Sequence, residues 1–410
     1  MKIEERLRRT FSARAGSAGH SDDAWQLIRT GLVRRRRRRA AASFLAAGAA
    51  LLLVAASTAW LWAALRGSSG TAPGSGAEAE IRPRVAATIP VGEFPAGIAV
   101  GEGSIWVAVP GPGCRGHVAR IDPATNEIIA RIPVNGWPSN LAVGFGSAWV
   151  EGLLCTEDDG DVPAVTRIDP RTNSASPAVP LGSSSGDVAA GEGAVWVTVS
   201  GERGSGEVVR IDPATGEVVA RIPVEGDPRD VVVGEGAVWV LSRPQEGVHL
   251  CPADASCLGG ASPSLSGMEV VRVDPKTNEV VATFPDALSV GVGEGALWMS
   301  VWLTAEDPGL VRVDPATGRR LGDALTGDFR GFAGEHGTMG TLVGDGGVWL
   351  WGFARPGAER GQISRLDAAT LEIDASVAPG GLWIDAALAP GGETLWISNY
   401  EDTITRIDLR

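Results

Sequence analysis

The stretch VVVGEGAVWV (231–240) decides the fold, because altered copies of it recur along the chain. In each copy a short apolar run leads into Gly-x-Gly, and a second apolar run containing a tryptophan follows. Seven copies occur, 43 to 59 residues apart, with their tryptophans at Trp106, Trp149, Trp196, Trp239, Trp298, Trp349 and Trp396. A repeat of this length predicts an array of like units that bury their apolar faces against one another.

Each unit carries the pattern of a four-stranded antiparallel sheet. In the fourth unit, 231–233 and 237–241 predict two strands joined by a tight turn, in which glycine supplies a positive φ. After a long loop, 270–273 predicts a third strand, DPKTN (274–278) a type I turn, and 280–284 a fourth strand. Such sheets repeated radially are the blades of a propeller, and the recurrent tryptophan is expected to pack between neighbouring blades.

The two ends of the repeat region predict how the ring closes. The last unit stops after RIDLR (406–410), one strand short, and VAATIPV (85–91) has the pattern of a fourth strand. We therefore predict an all-β fold over residues 82–410, namely a seven-bladed β-propeller of four-stranded antiparallel blades closed by its N-terminal strand.

The repeat resembles a known family. The string EVVARIPVEGDPRDVVVGEGAVWV (217–240) is similar to the YVTN-type propeller repeat and to the related virginiamycin B lyase-like propellers of bacteria. The resemblance covers about residues 82–410 and implies the propeller fold. Lyases of that family use histidine and glutamate around a central cation, which makes Glu335 and His336 candidate catalytic residues, although no histidine here matches a family motif residue by residue.

A membrane anchor is predicted before the propeller. Residues 40–65 form a run of 26 residues without a charge, and six arginines (34–39) precede it. As a helix this run would be about 39 Å long, enough for a single transmembrane pass. The arginines place segment 1–39 in the cytoplasm and the propeller outside, beyond a flexible linker (66–81). A cleaved signal peptide is the disfavoured alternative, since a long segment precedes the run and no A-x-A site follows it.

The charge is divided unevenly along the chain. Residues 1–66 carry a net charge of +9, and residues 67–410 carry 23 Lys/Arg against 45 Asp/Glu, a net charge of −22. An acidic propeller repels nucleic acid and anionic lipid. We therefore expect a protein, a glycan or a small molecule as the partner of the propeller.

All four cysteines fall in the part predicted to lie outside the cell, where disulfides persist. Cys251 and Cys257 share one loop, and Cys114 and Cys155 occupy corresponding loops of adjacent blades. We predict these two pairings among the three possible ones. A metal site is less favoured, because no close CxxC pair or matching histidine occurs.

Loop lengths indicate which face of the propeller binds. Within a blade, the first-to-second and third-to-fourth turns are short; we call the face that carries them the turn face. The connections on the other face vary in length and are long at 110–116, 152–163, 242–268 and 326–339. We call this the variable-loop face and expect the binding surface there.

Aromatic residues outside the repeat gather on the variable-loop face. They either roof the blades beneath the long loops or line a pocket for a sugar or a flat apolar ligand. The candidate ligand-binding residues are Trp137, Arg229, Trp302, Trp351, Phe353, Trp383 and Tyr400.

A ring of residues at the mouth of the central channel is the candidate metal site. These residues lie nine positions before each repeat tryptophan, at the expected start of the innermost strand: Gly97, Asn140, Asp187, Asp230, Ser289, Gly340 and Ala387. Crowding at the axis explains the small residues. Asn140, Asp187 and Asp230 could ligate Ca²⁺ or Mg²⁺, or hydrogen-bond to loop amides instead.

Two functions follow from these features. The preferred one is a membrane-anchored binding or sensing module outside the cell. The alternative is a divalent-cation-dependent lyase or hydrolase acting at the channel mouth. The sequence contains no G-x-S-x-G, H-E-x-x-H or phosphate-binding loop, which favours the first.

Overall fold

The computed structural model describes residues 82–156, 161–182, 184–201, 205–244, 268–302, 308–325, 340–352, 362–380, 383–399 and 402–409. The predicted cytoplasmic segment, transmembrane helix and linker (1–39, 40–65 and 66–81) lie outside these residues. Among the residues described, no helix has the length and apolar character of a membrane span.

The described residues form seven antiparallel sheets, one for each sequence repeat. The strands in chain order are β1 (Arg84–Pro90), β2 (Ile98–Gly101), β3 (Ser104–Val109), β4 (His117–Ile121), β5 (Ile128–Pro133), β6 (Trp137–Gly144), β7 (Ser147–Cys155), β8 (Asp161–Asp169), β9 (Ser174–Ala175), β10 (Val179–Pro180), β11 (Ser184–Gly191), β12 (Ala194–Ser200), β13 (Ser205–Ile211), β14 (Val218–Glu225), β15 (Asp227–Gly234), β16 (Ala237–Arg243), β17 (Glu269–Asp274), β18 (Glu279–Pro285), β19 (Ala287–Gly293), β20 (Ala296–Trp302), β21 (Pro308–Val313), β22 (Gly340–Gly344), β23 (Gly347–Gly352), β24 (Gln362–Asp367), β25 (Ile373–Val377), β26 (Trp383–Leu388), β27 (Thr394–Asn399) and β28 (Thr403–Asp408). Blades 1 to 6 are β2–β5, β6–β10, β11–β14, β15–β18, β19–β21 and β22–β25, and blade 7 is β26–β28 with β1.

The blades close into a ring. Each innermost strand contacts the innermost strand of the next blade, and β26 of blade 7 contacts β2 of blade 1. Strand β1 pairs antiparallel with β28, with Arg84 opposite Asp408 and Pro90 opposite Thr403. The N-terminal strand therefore completes the last blade, as the sequence predicts, and covers an edge that would otherwise be open.

The repeat tryptophans form the contacts between blades. Their side chains are 0 to 2% exposed. Trp239 of blade 4 packs against Val290, Met299 and Val311 of blade 5. Its indole Nε1 donates to the carbonyl oxygen of Gly234 at 3.1 Å, so the buried polar atom is satisfied within its own turn. The predicted packing of these tryptophans is confirmed.

The turn face is built from two kinds of short turn. In DPKTN the backbone of Asn278 is left-handed (φ 57°), and Asp274 Oδ1 accepts from the Lys276 amide at 2.8 Å. In the Gly-x-Gly turn the middle residue Glu235 is also left-handed (φ 53°), which the sequence did not indicate. The Glu235 carboxylate accepts from the Gly295 amide of the next blade at 3.0 Å. This inter-blade contact offsets the cost of a non-glycine residue in that conformation.

Two blades depart from four regular strands. In blade 5 the outer segment meets β21 through isolated bridges, Leu310 with Leu325 and Val313 with Arg320. Gly322 in this segment has φ 82°, which interrupts an extended conformation. In blade 2 the outer strand is split into β9 and β10 around Pro177, whose nitrogen lacks the hydrogen needed for a ladder bond.

A disulfide joins Cys114 to Cys155, with Cα atoms 6.1 Å apart, and this predicted pairing is confirmed. Cys114 ends a 3₁₀ turn (Pro112–Cys114) in blade 1, and Cys155 ends β7 in blade 2. The bond therefore crosslinks two adjacent blades on the variable-loop face. Cys251 and Cys257 lie outside the described residues.

Candidate functional site

The strand pairing corrects one member of the predicted channel ring. In blade 4, Asp230 lies opposite Leu241, two residues after the repeat tryptophan. In blade 7, Ala387 lies opposite Trp396 itself, and Asp385 lies opposite Ser398 in the equivalent place. The first turn of blade 7 is two residues longer, so counting back nine positions fails there. The ring therefore contains Asp385 in place of Ala387.

The ring residues also sit differently within their strands than predicted. In blades 2, 3, 4, 5 and 7 the innermost strand begins upstream of the ring residue. A register shift in the pairing ends at the ring residue in blades 2, 4, 5 and 7 and spans it in blade 3. Asn140, for example, is the fourth residue of β6. Such a bulge turns the side chain that follows it, and this rotation aims the ring residue at the neighbouring blade.

The polar ring residues hydrogen-bond to the innermost strand of the next blade. Asp187 Oδ2 accepts from the Val231 amide at 3.1 Å, and Asp385 Oδ2 accepts from the Ile98 amide at 3.0 Å. Asn140 Nδ2 donates to the carbonyl oxygen of Gly186. These bonds connect blades 3 to 4, 7 to 1 and 2 to 3. Their partners are strand amides and a strand carbonyl rather than the loop amides expected from the sequence.

The aspartates of the ring affect one another electrostatically. Burial raises the pKa of Asp187 well above its usual value, the Asp230 carboxylate raises it further, and Asp385 adds a smaller contribution. Hydrogen bonds from the Val231 and Val188 amides oppose the rise. Three carboxylates thus interact at the channel mouth, and the raised pKa of Asp187 makes this group harder to ionise than a solvent-exposed aspartate.

No metal cluster is evident within the described part of the chain, where no three His, Cys, Asp or Glu side chains are arranged to hold an ion. The Ca²⁺ or Mg²⁺ site at Asn140, Asp187 and Asp230 stays a prediction. Any ion at this place would take oxygen ligands from the ring, and these oxygens would have to exchange their present amide partners for it.

The structure reveals a buried carboxylate in blade 2 that the sequence reasoning missed. Glu151 is 3% exposed and lies opposite Asn140, two residues after the repeat tryptophan. Its Oε2 accepts from Asn140 Nδ2 at 3.2 Å, and its Oε1 accepts from Ser185 Oγ of blade 3. A signal existed in the sequence, because the six other blades carry no carboxylate at this position: Ala108, Thr198, Leu241, Ser300, Trp351 and Ser398.

Beside Glu151 lies a small cavity of about 20 Å³ on the variable-loop face. Trp137, one of the predicted ligand-binding residues, lines it together with Gly152, Leu153 and Thr166. The Trp137 Nε1 atom is buried and finds no hydrogen-bond partner among the described residues. We call this cavity the blade-2 notch. Glu151 and Trp137 both border this notch.

The structure describes the other predicted ligand-binding residues to different extents. Trp351 is partly buried against the core of blade 7, and its ring lies so close to Gly340 that a Cβ there would come within 1.9 Å of it. Trp351 therefore covers Gly340 of the same blade, and its ligand-binding role stays a prediction. The guanidinium of Arg229 forms an ion pair with Asp227 on the same strand.

The backbones of Trp302 and Trp383 lie at the end of β20 and the start of β26, on the variable-loop face. Phe353 and Tyr400, and the candidate catalytic residues Glu335 and His336, lie outside the described residues.

The fold and its closure define this chain as a seven-bladed β-propeller protein. No protein-family model matches its sequence. No curated protein matches it either.

Solved structures with a similar fold include hydrazine synthase from Kuenenia stuttgartiensis, with a TM-score of 0.55, 15% identity and coverage of 77% of this chain and 96% of that one. The WD40 domain of Neurospora crassa Pan2 is similar with a TM-score of 0.55 and 9% identity, over 81% of this chain and 96% of that one. At these identities the likeness shows the fold alone. The resemblance to YVTN-type repeats continues to rest on the repeat sequence.

Proposed function

We propose that this protein is a membrane-anchored propeller that binds a ligand outside the cell through its variable-loop face. The observation that carries the proposal is the difference between the two faces. On the turn face, repeated carboxylates bond to the next blade: Glu192 to the Gly236 amide at 3.1 Å, and Glu294 to the Gly346 amide at 2.9 Å. That face is occupied by contacts that hold the ring together.

The variable-loop face carries the departures from the repeat. Glu151, Trp137 and the Cys114–Cys155 bond all lie there, in blades 1 and 2. A feature present in one blade cannot be explained by the repeat itself, and a crosslinked loop base is a rigid support for a binding surface. The ligand in this proposal is a protein, a glycan or a small molecule, because the charge of −22 on residues 67–410 opposes nucleic acid.

A photo-crosslinking amino acid tests which face binds. It is placed at exposed Asn135 on the variable-loop face or at exposed Lys276 on the turn face, in the full chain in producing cells. The proposal requires a discrete crosslinked product from position 135 and none from position 276. Products of equal yield from both positions, or from position 276 alone, contradict it.

The localisation is a separate part of the proposal: a single-pass membrane protein with residues 1–39 in the cytoplasm. Its support is the charge-free run 40–65 behind six arginines, and the disulfide, which suits an oxidising compartment. In intact cells, an impermeant thiol reagent should label a cysteine introduced within 67–77 and spare one introduced at Gly16. The reverse pattern, or free propeller in the medium, contradicts the anchor.

A cation-dependent lyase or hydrolase is the second proposal. The carboxylates of Asp187, Asp230 and Asp385 interact electrostatically at the channel mouth, although among the described residues they are not arranged to hold an ion. The proposal is tested by measuring whether Ca²⁺ or Mg²⁺ raises the melting temperature of the propeller.

A further inference from the structure

Three kinds of polar contact recur between a blade and the next one around the ring. A residue of the channel ring bonds to the next innermost strand, as Asp187 does, and a carboxylate of the Gly-x-Gly turn bonds to the next such turn, as Glu192 does. The arginine of the repeated Arg-Ile-Asp sequence reaches the next turn between third and fourth strands. In blade 1, for example, Arg120 Nη1 donates to Asn173 Oδ1 of blade 2 at 2.9 Å.

At least one of these contacts joins every pair of neighbouring blades except one. The joint between blades 3 and 4 has all three kinds, because Arg210 also reaches the blade-4 turn. The other joints with a contact have Arg120 with Asn173 (blades 1 and 2), Asn140 with Gly186 (2 and 3), Glu235 with Gly295 (4 and 5), Glu294 with Gly346 (5 and 6) and Asp385 with Ile98 (7 and 1).

The joint between blades 6 and 7 lacks the first two kinds of contact among the described residues. Its ring residue is Gly340, which has no side chain, and a Cβ there would come within 1.9 Å of the Trp351 ring. Its turn carboxylate is Asp345, which lies beside Gly392 of blade 7. The Gly392 amide donates to the carbonyl oxygen of Ala389 in its own blade at 3.1 Å, so it does not bond to that carboxylate.

The third kind of contact is lost at this joint because of how the ring closes. Blade 7 contains both ends of the propeller, so β28 ends and β1 begins where other blades form the turn between third and fourth strands. Arg365 of blade 6 therefore has no such turn to reach. Its guanidinium forms an ion pair with Asp374 on β25 of its own blade, and its Nη2 donates to the Asp345 carbonyl oxygen at 3.2 Å.

Apolar packing is what holds blade 6 to blade 7. Trp349 of blade 6 packs against Leu395 and Ile397 of blade 7. On its other side, blade 7 is tied to blade 1 by the hydrogen bonds of Asp385 and Arg406, and β1 continues directly into blade 1. Blade 7 is thus linked more firmly to blade 1 than to blade 6.

We propose that the joint between blades 6 and 7 is the seam at which the propeller ring opens. Opening any other joint breaks at least one hydrogen bond between blades, whereas opening the seam separates apolar surfaces. The chain passes from β25 to β26 on the variable-loop face, so the two blades part at the turn face and pivot at the variable-loop face. Blades 7, 1 and 2 move as one body, because β1 and the disulfide connect them.

The test measures how fast a buried cysteine becomes accessible in the folded protein. Leu395→Cys places a thiol in the seam, and Val238→Cys places one at the corresponding position of the joint between blades 3 and 4; both native side chains are 0% exposed. The purified full chain is treated with a thiol reagent, its disulfides intact, and modification is followed by mass spectrometry against the unsubstituted protein. Ile397→Cys and Val240→Cys form a second matched pair, which controls for a packing defect at one position.

The cysteines in the seam are expected to react at least about tenfold faster than their matched partners, because no hydrogen bond between blades opposes the opening. Their reaction rate should also change little at low denaturant concentrations, since opening one joint exposes far less surface than global unfolding.

A second comparison tests whether the polar contacts set the rate. In the Val238→Cys protein, Arg210→Met removes one of the three contacts between blades 3 and 4 and should speed the reaction by about fivefold or more. Glu217→Gln, at an exposed position of a blade-3 turn, is the matched control and should leave the rate unchanged.

Three outcomes overturn the inference. Equal rates in the two joints, or faster reaction in the joint between blades 3 and 4, show that the seam does not open preferentially. A seam rate that follows global unfolding across the denaturant range shows that the ring does not open locally. An unchanged rate in Arg210→Met shows that these contacts do not control opening. None of these results depends on a ligand, so the proposed binding role is decided separately by the photo-crosslinks.

Discussion

The arginine of the repeated RID motif acts as a clamp between blades. The Arg210 guanidinium lies 5.2 Å from the ring centroid of its own repeat tryptophan, Trp196. Its Nη1 reaches the turn of the next blade, donating to Pro275 O and Asn278 Oδ1, each at 2.8 Å. Arg406 does the same across the closure, to Pro123 O at 2.7 Å and Asn126 Oδ1 at 3.2 Å. The motif therefore stabilises the contacts between blades. This role explains why the motif recurs, and it gives no information about a ligand.

The Nε atom of the clamp arginine has a hydrogen-bond acceptor in some blades and none among the described residues in others. In blades 1 and 2, Nε of Arg120 and of Arg167 donates to Ser104 Oγ and Ser147 Oγ, each at 2.8 Å. In blades 3 to 5 alanine replaces that serine, and Nε has no hydrogen-bond partner within the part of the chain that the structure describes: Arg210, Arg272 and Arg312. The repeat itself thus shows how the missing acceptor can be supplied.

We expect Ala194→Ser to raise the free energy of unfolding by about 1 kcal/mol, because the new hydroxyl accepts from Arg210 Nε. The reverse change, Ser104→Ala, should lower it by about 1–3 kcal/mol, because it leaves a buried donor unpaired. Denaturant unfolding of the purified protein measures both. As a control, Ala148→Ser adds a hydroxyl to the buried cluster around Trp106 and should not stabilise, because Arg120 Nε already donates to Ser104 Oγ. If Ala194→Ser behaves like Ala148→Ser, the missing acceptor is unimportant.

At the scale of strands and blades, the sequence predicted what local patterns determine. Apolar runs, the DPxTN turns and the recurrent tryptophan each act within one repeat, so the blades and their packing could be predicted. The identity of Asp385 could not, because it depends on a turn that is two residues longer in blade 7. Glu151 was hidden inside an apolar strand, and its contact with Asn140 depends on the bulge after Pro138 in the neighbouring strand. Cross-strand register is a non-local property, and the candidate site depends on it.

The closing strand gives a prediction at this scale. Deleting residues 82–92 removes β1 together with the buried side chains of Ile89 and Val91, which pack against blade 1 and Trp396. Losing the burial of these two side chains should lower the free energy of unfolding by about 3–6 kcal/mol and expose β28 as an edge that aggregates. Deleting residues 67–77 of the linker is the matched control and should change neither property. A monomeric product of 82–92 deletion with an unchanged melting temperature contradicts ring closure by β1.

For the whole molecule, the channel carboxylates predict an unusual pH dependence. The pKa of Asp187 is raised in the folded state, chiefly by burial and then by Asp230, whereas in the unfolded chain it is about 3.9. The folded state therefore binds the proton more readily, and this group adds stability as the pH falls through the raised pKa toward about 4. The turn residues Asp169, Asp314 and Asp367 act in the opposite sense: hydrogen bonds from backbone amides lower their pKa, and their contribution is lost on acidification.

Asp187→Asn isolates the effect of the Asp187 charge on stability. The substituted side chain cannot ionise, and its oxygen can still accept from the Val231 amide. The variant should melt at a higher temperature than the wild type at pH 7, and the difference should shrink as the pH approaches 4. Calorimetric melts across this range measure it. A difference that is equal at every pH shows that the charge of Asp187 is not responsible.

The same carboxylates separate the two proposed functions. An ion held by Asn140, Asp187 and Asp230 would bind the folded propeller alone, so Ca²⁺ or Mg²⁺ at 100 times its dissociation constant would add about 2.7 kcal/mol of stability. The double change Asp187→Asn with Asp230→Asn should abolish that gain, and Asp385→Asn tests whether the third carboxylate takes part. Without an ion, the double change relieves repulsion between carboxylates and should be neutral or mildly stabilising. One variant, melted with and without Ca²⁺ and Mg²⁺, thus gives opposite results for an ion site and for a ring held by hydrogen bonds. A wild-type melting temperature that neither ion changes removes the physical basis for a cation-dependent lyase and leaves the variable-loop face as the place where this propeller acts.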